Sequence, residues 1–237
     1  MIAPCFNEQG NVAPLVERTL RALEQAGVDG ELVLVNDGSS DGTARQIDEA
    51  AANSERVQAV HHAQNSGIVA GWRSGVLAAR GELVATIDAD MQYRPEDVPL
   101  LLARFERGDV DVVQGRREQQ PERSALRRVM TAGLSWLLNL IFGTKLRDNK
   151  SGFILASRAV WLRILATSEG LRYFQHFIGI AVTSLGLRIA QVSIVFDPRF
   201  AGQSFITSPL RFALKSLVDL PLALWRFRIV RRRLRKS

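Results

Sequence analysis

The sequence predicts an α/β protein built on a mostly parallel central sheet. Short apolar, β-branched runs recur along its first half, helical periodicities long enough to cross over separate them, and polar loops follow the runs. The clearest run is residues 83–87, expected of a strand covered on both faces, and it ends on Asp88-Ala89-Asp90. Residues i and i+2 of an extended segment project to one side, so Asp88 and Asp90 can address a common ligand, with a hard divalent cation the natural candidate. Taken alone, the tripeptide also reads as a solvated turn with an Asx cap.

In chain order, Met1 to Ala3 is short for a central strand, so the sequence reads as beginning partway through its first strand, with Pro4-Cys5-Phe6-Asn7-Glu8 as the loop that follows. Asn11 is placed to cap a helix carrying Leu15, Val16, Leu20 and Leu23 and ending near Gly27. Residues 31–35 give a second strand, 36–43 a polar loop and 43–52 a second helix; 57–61 is a third strand and 67–79 a glycine-punctuated helix. After Asp90, Pro95 at a first-turn position with Glu96 and Asp97 near the positive end starts a helix through Val98, Leu101, Leu102 and Phe105. Residues 110–114 read as a strand, 123–142, 154–165 and 173–185 as helices, 143–152 as a charged loop, and 189–196 as a final strand. No internal repeat or low-complexity linker divides the chain, so residues 1–205 read as one domain and 206–237 as a C-terminal amphipathic helical extension.

Composition narrows the function. The 237 residues are 46% hydrophobic and 23% charged, ordinary globular material able to bury one sizeable core. The single cysteine, Cys5, excludes an internal disulfide framework and a cysteine-cluster metal site, and favours a reducing compartment. No opening segment has a signal-peptide layout and no run approaches ~18 uninterrupted apolar residues, so no membrane span is expected. The formal charge of +7 is uneven: residues 211–237 hold nine basic side chains against Asp219, and the remainder holds 22 basic and 23 acidic ones. A near-neutral body argues against nucleic acid as a partner. In the tail, Trp225, Phe227, Ile229, Val230 and Leu234 interleave with arginines, which fits a helix lying in a membrane interface against anionic lipid, with Trp225 and Phe227 inserting. A packing helix followed by a basic tail without a lipid role is the alternative.

Ligands of a parallel sheet bind beyond the carboxyl ends of its strands, where the loops 4–8 (PCFNE), 36–43 (NDGSSDGT) and 88–90 (DAD) fall. In this order and spacing they resemble the family 2 glycosyltransferases with the GT-A fold, a Rossmann-like nucleotide-diphosphosugar transferase fold. The likeness continues through Gln114-Gly115-Arg116-Arg117, Asp148-Asn149-Lys150-Ser151-Gly152-Phe153 and Asp197-Pro198-Arg199-Phe200-Ala201-Gly202-Gln203-Ser204. More narrowly, the chain resembles the branch that loads sugars onto polyprenyl or dolichyl phosphate.

The resemblance implies an inverting, metal-dependent transfer of a hexose from a nucleotide sugar, of the GDP-mannose or UDP-glucose type, to a polyprenyl phosphate. The protein would be cytoplasmic, peripherally associated with the inner face of the cell membrane, with a homo-oligomeric state left open. Pro4, Phe6 and Glu8 would line the nucleoside pocket, with Asp37 bonding the base or ribose. Asp88 would contact the ribose and metal-bound phosphate, with Ala89 beside it in the donor-binding set, and Asp90 would ligate Mg²⁺ or Mn²⁺ on the diphosphate. A dication stabilises the charge left on a departing nucleoside diphosphate. Gln92 would steer the metal shell or the diphosphate. Asp148, the second catalytic candidate, matches the acceptor-side motif, where a carboxylate orients the sugar or takes the acceptor proton; between Arg147 and Lys150 it also reads as a surface ion pair. Arg116, Arg127 or Arg128, and Arg199, with Ser204, would hold acceptor or donor phosphates, since a guanidinium fork suits phosphate oxygens. Arg127 and Arg128 read as well as the solvated edge of an amphipathic helix. His61, His62 and His176 lack ligand partners at metal spacing and read as core or surface residues. Two other readings keep the fold: a degenerate GT-A domain that binds a nucleotide sugar or a membrane partner without turnover, and a transferase with a soluble or glycolipid acceptor.

Overall fold

Alternation along the strands sets the two layers of helices. Leu32 and Leu34 bury into one apolar cluster while Val33 and Val35 bury into a second, as side chains on successive residues of a strand must. The computed structural model describes residues 1–118, 125–149, 151–199 and 218–230. Its strands are β1 (Ile2–Cys5), β2 (Leu32–Asp37), β3 (Val57–His62), β4 (Leu83–Thr86), β5 (Val112–Arg117), β6 (Ile154–Ser157) and β7 (Ile189–Ile194). The helices are α1 (Gln9–Gln25), α2 (Thr43–Asn53), α3 (Ile68–Ala78), α4 (Val98–Phe105), α5 (Ala125–Phe142), α6 (Arg158–Ala166), α7 (Ile178–Ser184) and α8 (Leu220–Leu224). Residues of α1, α2 and α4 fill the first cluster; those of α3, α6 and α7 fill the second, so each face of the sheet is covered.

Among the described residues the strands form one seven-stranded sheet in the order β3-β2-β1-β4-β6-β5-β7. β1 runs parallel to β2 and β4, and β5 parallel to β7, while β6 is antiparallel to both its neighbours. The carboxyl ends of β1, β2, β4 and β5 therefore share one edge of the sheet with the amino end of β6. Loops from distant parts of the sequence meet there.

Three expectations change. Residues 154–165, expected as one helix, divide into β6 and α6 with only a cap between them: Ser157 is extended (φ −65°, ψ 150°) and its Oγ accepts from Val160 N at 3.2 Å. A short apolar run fused to a helix has no periodicity of its own. Pro4 and Cys5, expected in a loop, belong to β1, in register with Val35 and Asn36. Asn11, expected to cap α1, lies inside it, and its side-chain amide donates to Glu8 Oε2.

The described part of the C-terminal extension, residues 218–230, packs onto the rest of the chain. Asp219 is buried and its Oδ2 accepts Tyr173 N at 2.6 Å; Arg226 donates to the Thr167 carbonyl at 2.8 Å. Phe227, expected to insert into a membrane, is instead 3% exposed, with its ring 6.5 Å from that of Phe142. Trp225, by contrast, is 54% exposed. Among the described residues no helix is long and apolar enough to cross a membrane.

Candidate active site

At the shared edge of the sheet a cavity of about 510 Å³ is lined by Pro4, Phe6, Glu8, Asp37, Asn65, Gly67, Ile68, Asp88, Ala89, Asp90 and Arg199. That volume suits a small organic ligand. The first two polar loops are knitted to each other before either meets a ligand. Asn7 N donates to Ser39 Oγ at 3.0 Å, Asn7 Oδ1 accepts Ser40 N at 2.9 Å, and Glu8 N donates to Thr43 Oγ1 at 2.8 Å. Gly38 permits the packing behind them: its φ is 68°, and a Cβ there would stand 2.4 Å from the Gln64 backbone.

Among the described residues the two non-glycine residues with positive φ are Asn7 (56°) and Met91 (62°), each next to a cavity carboxylate. For a side chain such as Met91 this conformation costs about 1 kcal/mol or more, and such strain concentrates at functional sites.

Asp88 and Asp90 emerge from β4 as the alternation requires. Burial pushes the Asp88 carboxyl up to about 7, with the Asp90 charge adding to it and Arg117 and Arg199 opposing. Its Oδ1 is buried and has no hydrogen-bond partner among the described residues. Asp90 is also raised, first by burial, against the Gln92 N–H at 3.1 Å and the Arg199 guanidinium. Arg199 spans the cavity, donating Nη1 to Glu8 Oε1 and Nη2 to Asp90 Oδ2, both at 2.9 Å. Glu8 is raised by burial, partly offset by Asn11 and Arg199.

The segment after β7 that carries Arg199 is clamped to the loop after Asp90. Arg94 holds Asp197 with two bonds of 2.5 and 2.8 Å, Gln92 Nε2 donates to the Asp197 carbonyl at 3.1 Å, and Val195 N donates to Asp97 Oδ2 at 3.1 Å. Gln92, expected to face the metal shell or diphosphate, thus gives its side-chain amide to this clamp.

Beside the cavity lies a second charge pair. Arg117 grips Asp148 with Nε to Oδ2 at 2.7 Å and Nη2 to Oδ1 at 2.9 Å, and its guanidinium sits 5.2 Å from the Phe196 ring centre. Burial works against the Arg117 charge, but the carboxylates of Asp148 and Asp88 outweigh it and hold the group above its ordinary value. Burial pushes the Tyr93 phenol up to about 12, so it stays neutral, and its oxygen accepts the Gly152 N–H at 3.1 Å.

Of the sequence-predicted residues, Pro4, Phe6, Glu8, Asp37, Asp88, Ala89, Asp90 and Arg199 meet at the cavity. Asp148 pairs with Arg117 rather than with its sequence neighbour Arg147. Arg116 bonds Ser193 on β7, and the next residue, Arg117, is the one turned toward the acids. Ser204 and the side chains of Arg127 and Arg128 lie outside the described residues. Sequence reasoning missed Arg117, Arg94 and His62. The alternation along β5 separates Arg117 from Arg116 once the strand is extended to 117.

Among the described residues no three His, Cys, Asp or Glu side chains stand close enough to hold a metal alone. A dication that takes one or two carboxylates and completes its shell with phosphate oxygens and water still fits Asp88 and Asp90. The unpartnered, buried Asp88 Oδ1 is the atom that such an ion would satisfy.

The model of the family described as glycosyl transferase family 2 matches residues 1–166, and the chain belongs to that family. It is 30% identical over 207 residues to a dodecaprenyl-phosphate galacturonate synthase of Rhizobium johnstonii, covering 86% of this chain and 60% of the relative. It is 34% identical over 209 residues to an undecaprenyl-phosphate 4-deoxy-4-formamido-L-arabinose transferase of Pectobacterium carotovorum, covering 86% and 61%. The chain thus spans about 60% of the length of these relatives. Among solved structures it is similar to glucosyl-3-phosphoglycerate synthase from Mycobacterium tuberculosis in complex with Mn²⁺, uridine diphosphate and phosphoglyceric acid, with a TM-score of 0.69, 20% identity and coverage of 94% of this chain and 77% of that one. That likeness establishes the GT-A fold.

Proposed function

We propose that this chain is the catalytic part of an inverting glycosyltransferase that moves a sugar from a nucleotide donor to a polyprenyl phosphate. The observation that carries the reading is the pair Asp88 and Asp90 at the end of β4, one with an unpartnered buried oxygen and the other bridged to Glu8 by Arg199. Similarity to transferases named for dodecaprenyl and undecaprenyl phosphate supports the acceptor class. The sugars in those names are a uronic acid and a formamido pentose. Neither is the hexose of GDP-mannose or UDP-glucose, so the donor class stays open, as it does from the sequence, where UDP-linked amino sugars also remain candidates.

In this reading Asp90 and Asp88 hold Mg²⁺ or Mn²⁺, which when bound supplies positive charge against the leaving diphosphate. Pro4, Phe6, Glu8 and Asp37 line the nucleoside end. Arg199 exchanges its carboxylate partners for diphosphate oxygens as negative charge builds there, a trade of one anion for another. A phosphate acceptor is already ionised near neutral pH, so Asp148, fixed by Arg117, orients the acceptor end rather than removing a proton. A polyprenyl acceptor lives in a membrane, and the basic residues 231–237 would draw the domain to an anionic cytoplasmic surface.

The test is a donor screen with a short polyprenyl phosphate and Mn²⁺, run on the wild-type chain and on Asp90→Asn. Sugar transfer from one nucleotide sugar by the wild type, lost in a variant with unchanged circular dichroism, is the expected outcome. No turnover with any donor, beside intact nucleotide binding, would favour a domain that binds without catalysing.

A further inference from the structure

The Asp37 carboxylate is buried at the nucleoside end of the cavity, and most of its acceptor positions are already used by the protein. Oδ1 accepts from His62 Nδ1 at 2.7 Å and from Ser66 N at 2.8 Å; Oδ2 accepts from Gly67 N at 2.8 Å. A carboxylate offers about four acceptor positions, so these three bonds leave one, on Oδ2. On its far side His62 is held too, with Nε2 2.8 Å from Ser74 Oγ on α3. Because a carboxylate oxygen accepts, Nδ1 of His62 is the donor to Asp37, and Nε2 shares the second hydrogen bond with the Ser74 hydroxyl, which can serve as donor or acceptor. The bonds run in the order of a Ser–His–Asp relay. Here, however, the carboxylate end faces the cavity, so the chain delivers orientation to Asp37 rather than a nucleophile to a substrate.

We infer that His62, fixed by Ser74, is a positioning residue for nucleoside recognition: it holds Asp37 so that its remaining Oδ2 position meets an N–H or O–H donor of the base or ribose. The inference rests on the donor-site reading above. Losing the imidazole frees Asp37 to turn, and it leaves a buried acceptor position unfilled beside the Ser66–Gly67 turn that opens α3. The diphosphate end, built from Arg199 and the acids of β4, is untouched.

Calorimetric titration of the full chain with UDP, GDP and inorganic pyrophosphate, each with Mn²⁺, reads the two ends separately. His62→Ala is expected to weaken the nucleotide that the wild type prefers by about tenfold, the scale of one hydrogen bond to a charged group, and to leave pyrophosphate affinity unchanged. His62→Asn places an amide N–H near the former Nδ1 and is expected to restore most of the loss; His62→Gln, which reaches toward Ser74, is not. Ser74→Ala is expected to give a smaller loss of the same kind. Equal nucleotide affinity in wild type and His62→Ala overturns the inference, as does a parallel loss of nucleotide and pyrophosphate that His62→Asn does not rescue. A wild type that binds neither nucleotide sinks the donor-site reading itself, and the role of His62 with it.

Discussion

The two regions that the proposal assigns to donor and acceptor, the donor half and the acceptor half, treat their charges in opposite ways. In the donor half Glu8, Asp88 and Asp90 crowd one cavity, all raised by burial, and Arg199 is the cation that bridges two of them. In the acceptor half Asp148 is locked in a two-bond pair with Arg117, whose guanidinium is supported by the Phe196 ring. The first region stores an excess of negative charge that a cation relieves; the second is electrically closed before any ligand arrives. Ligand binding should therefore change the first region and leave the second as a frame.

The largest expected effect follows from that contrast. Arg117→Ala removes the two-bond guanidinium grip on the half-buried Asp148, and breaking such a pair costs up to about 3–5 kcal/mol of stability. The double variant with Asp148→Ala is expected to recover part of it, because the two residues act as one unit. Asp88→Asn removes a raised carboxylate instead, and its melting temperature near pH 8 is expected to equal or exceed the wild type's while transfer is lost. Thermal melts of the four proteins compare the halves directly. Equal destabilisation by Arg117→Ala and Asp88→Asn would erase the distinction.

Arg199 comes next. If it trades its carboxylates for diphosphate, Arg199→Ala is expected to lower kcat by about 100-fold, the scale of removing one donor to developing charge. Arg94→Ala, which releases the Asp197 clamp without touching the cavity, is expected to fall between that variant and wild type. Steady-state kinetics rank the three, and an Arg94→Ala loss exceeding that of Arg199→Ala would show that the clamp serves something else.

The donor half was also the more legible in sequence, for a physical reason. Its residues sit at or just beyond the carboxyl ends of β1, β2 and β4, so the order of strands and polar stretches is enough to bring Pro4 to Glu8, Asp37 and Asp88 to Asp90 to one edge. The acceptor half depends on β6, an antiparallel strand fused to α6 and too short to carry a period, and on pairings between residues 31 positions apart, such as Arg117 with Asp148. His62 was unreadable because its meaning lies in Asp37 and Ser74, which only folding brings to it. Phe227 misled because an aromatic residue among arginines looks the same in sequence whether it faces lipid or Phe142.

That correction sets the membrane test. Removing residues 208–237 would strip Ala223 and Phe227 from the core, so the informative truncation ends at Val230 and deletes Arg231, Arg232, Arg233, Arg235 and Lys236. Each basic residue near an anionic leaflet contributes ~1 kcal/mol, and at half that strength five of them give about 2.5 kcal/mol, roughly 70-fold in binding. Flotation with anionic vesicles is expected to show that loss, and a similar one for the intact chain as salt rises from ~0.1 to ~0.5 M. Salt-independent binding that survives truncation would move the contact onto the domain.

The smallest effect is the one that reads the donor half's stored charge most directly. A carboxyl raised from its ordinary value to about 7, as Asp88 is by burial and by Asp90, favours the folded chain in its neutral form. Its contribution is complete below the unfolded value near 3.8 and is lost as pH rises through about 7. Without ligand, melting temperature should therefore fall between pH 5 and 8, by roughly a few °C for a chain of this size, and Asp88→Asn should flatten that slope. If Asp88 holds the metal as proposed, Mn²⁺ with UDP is expected to reverse the sign, because a cation would bind the ionised form and so stabilise most at pH 8. Arg117→Lys, which keeps the acceptor pair charged, leaves both slopes in place. A melting profile that is flat in wild type, or unchanged by Asp88→Asn, would mean that the donor half is as well compensated as the acceptor half.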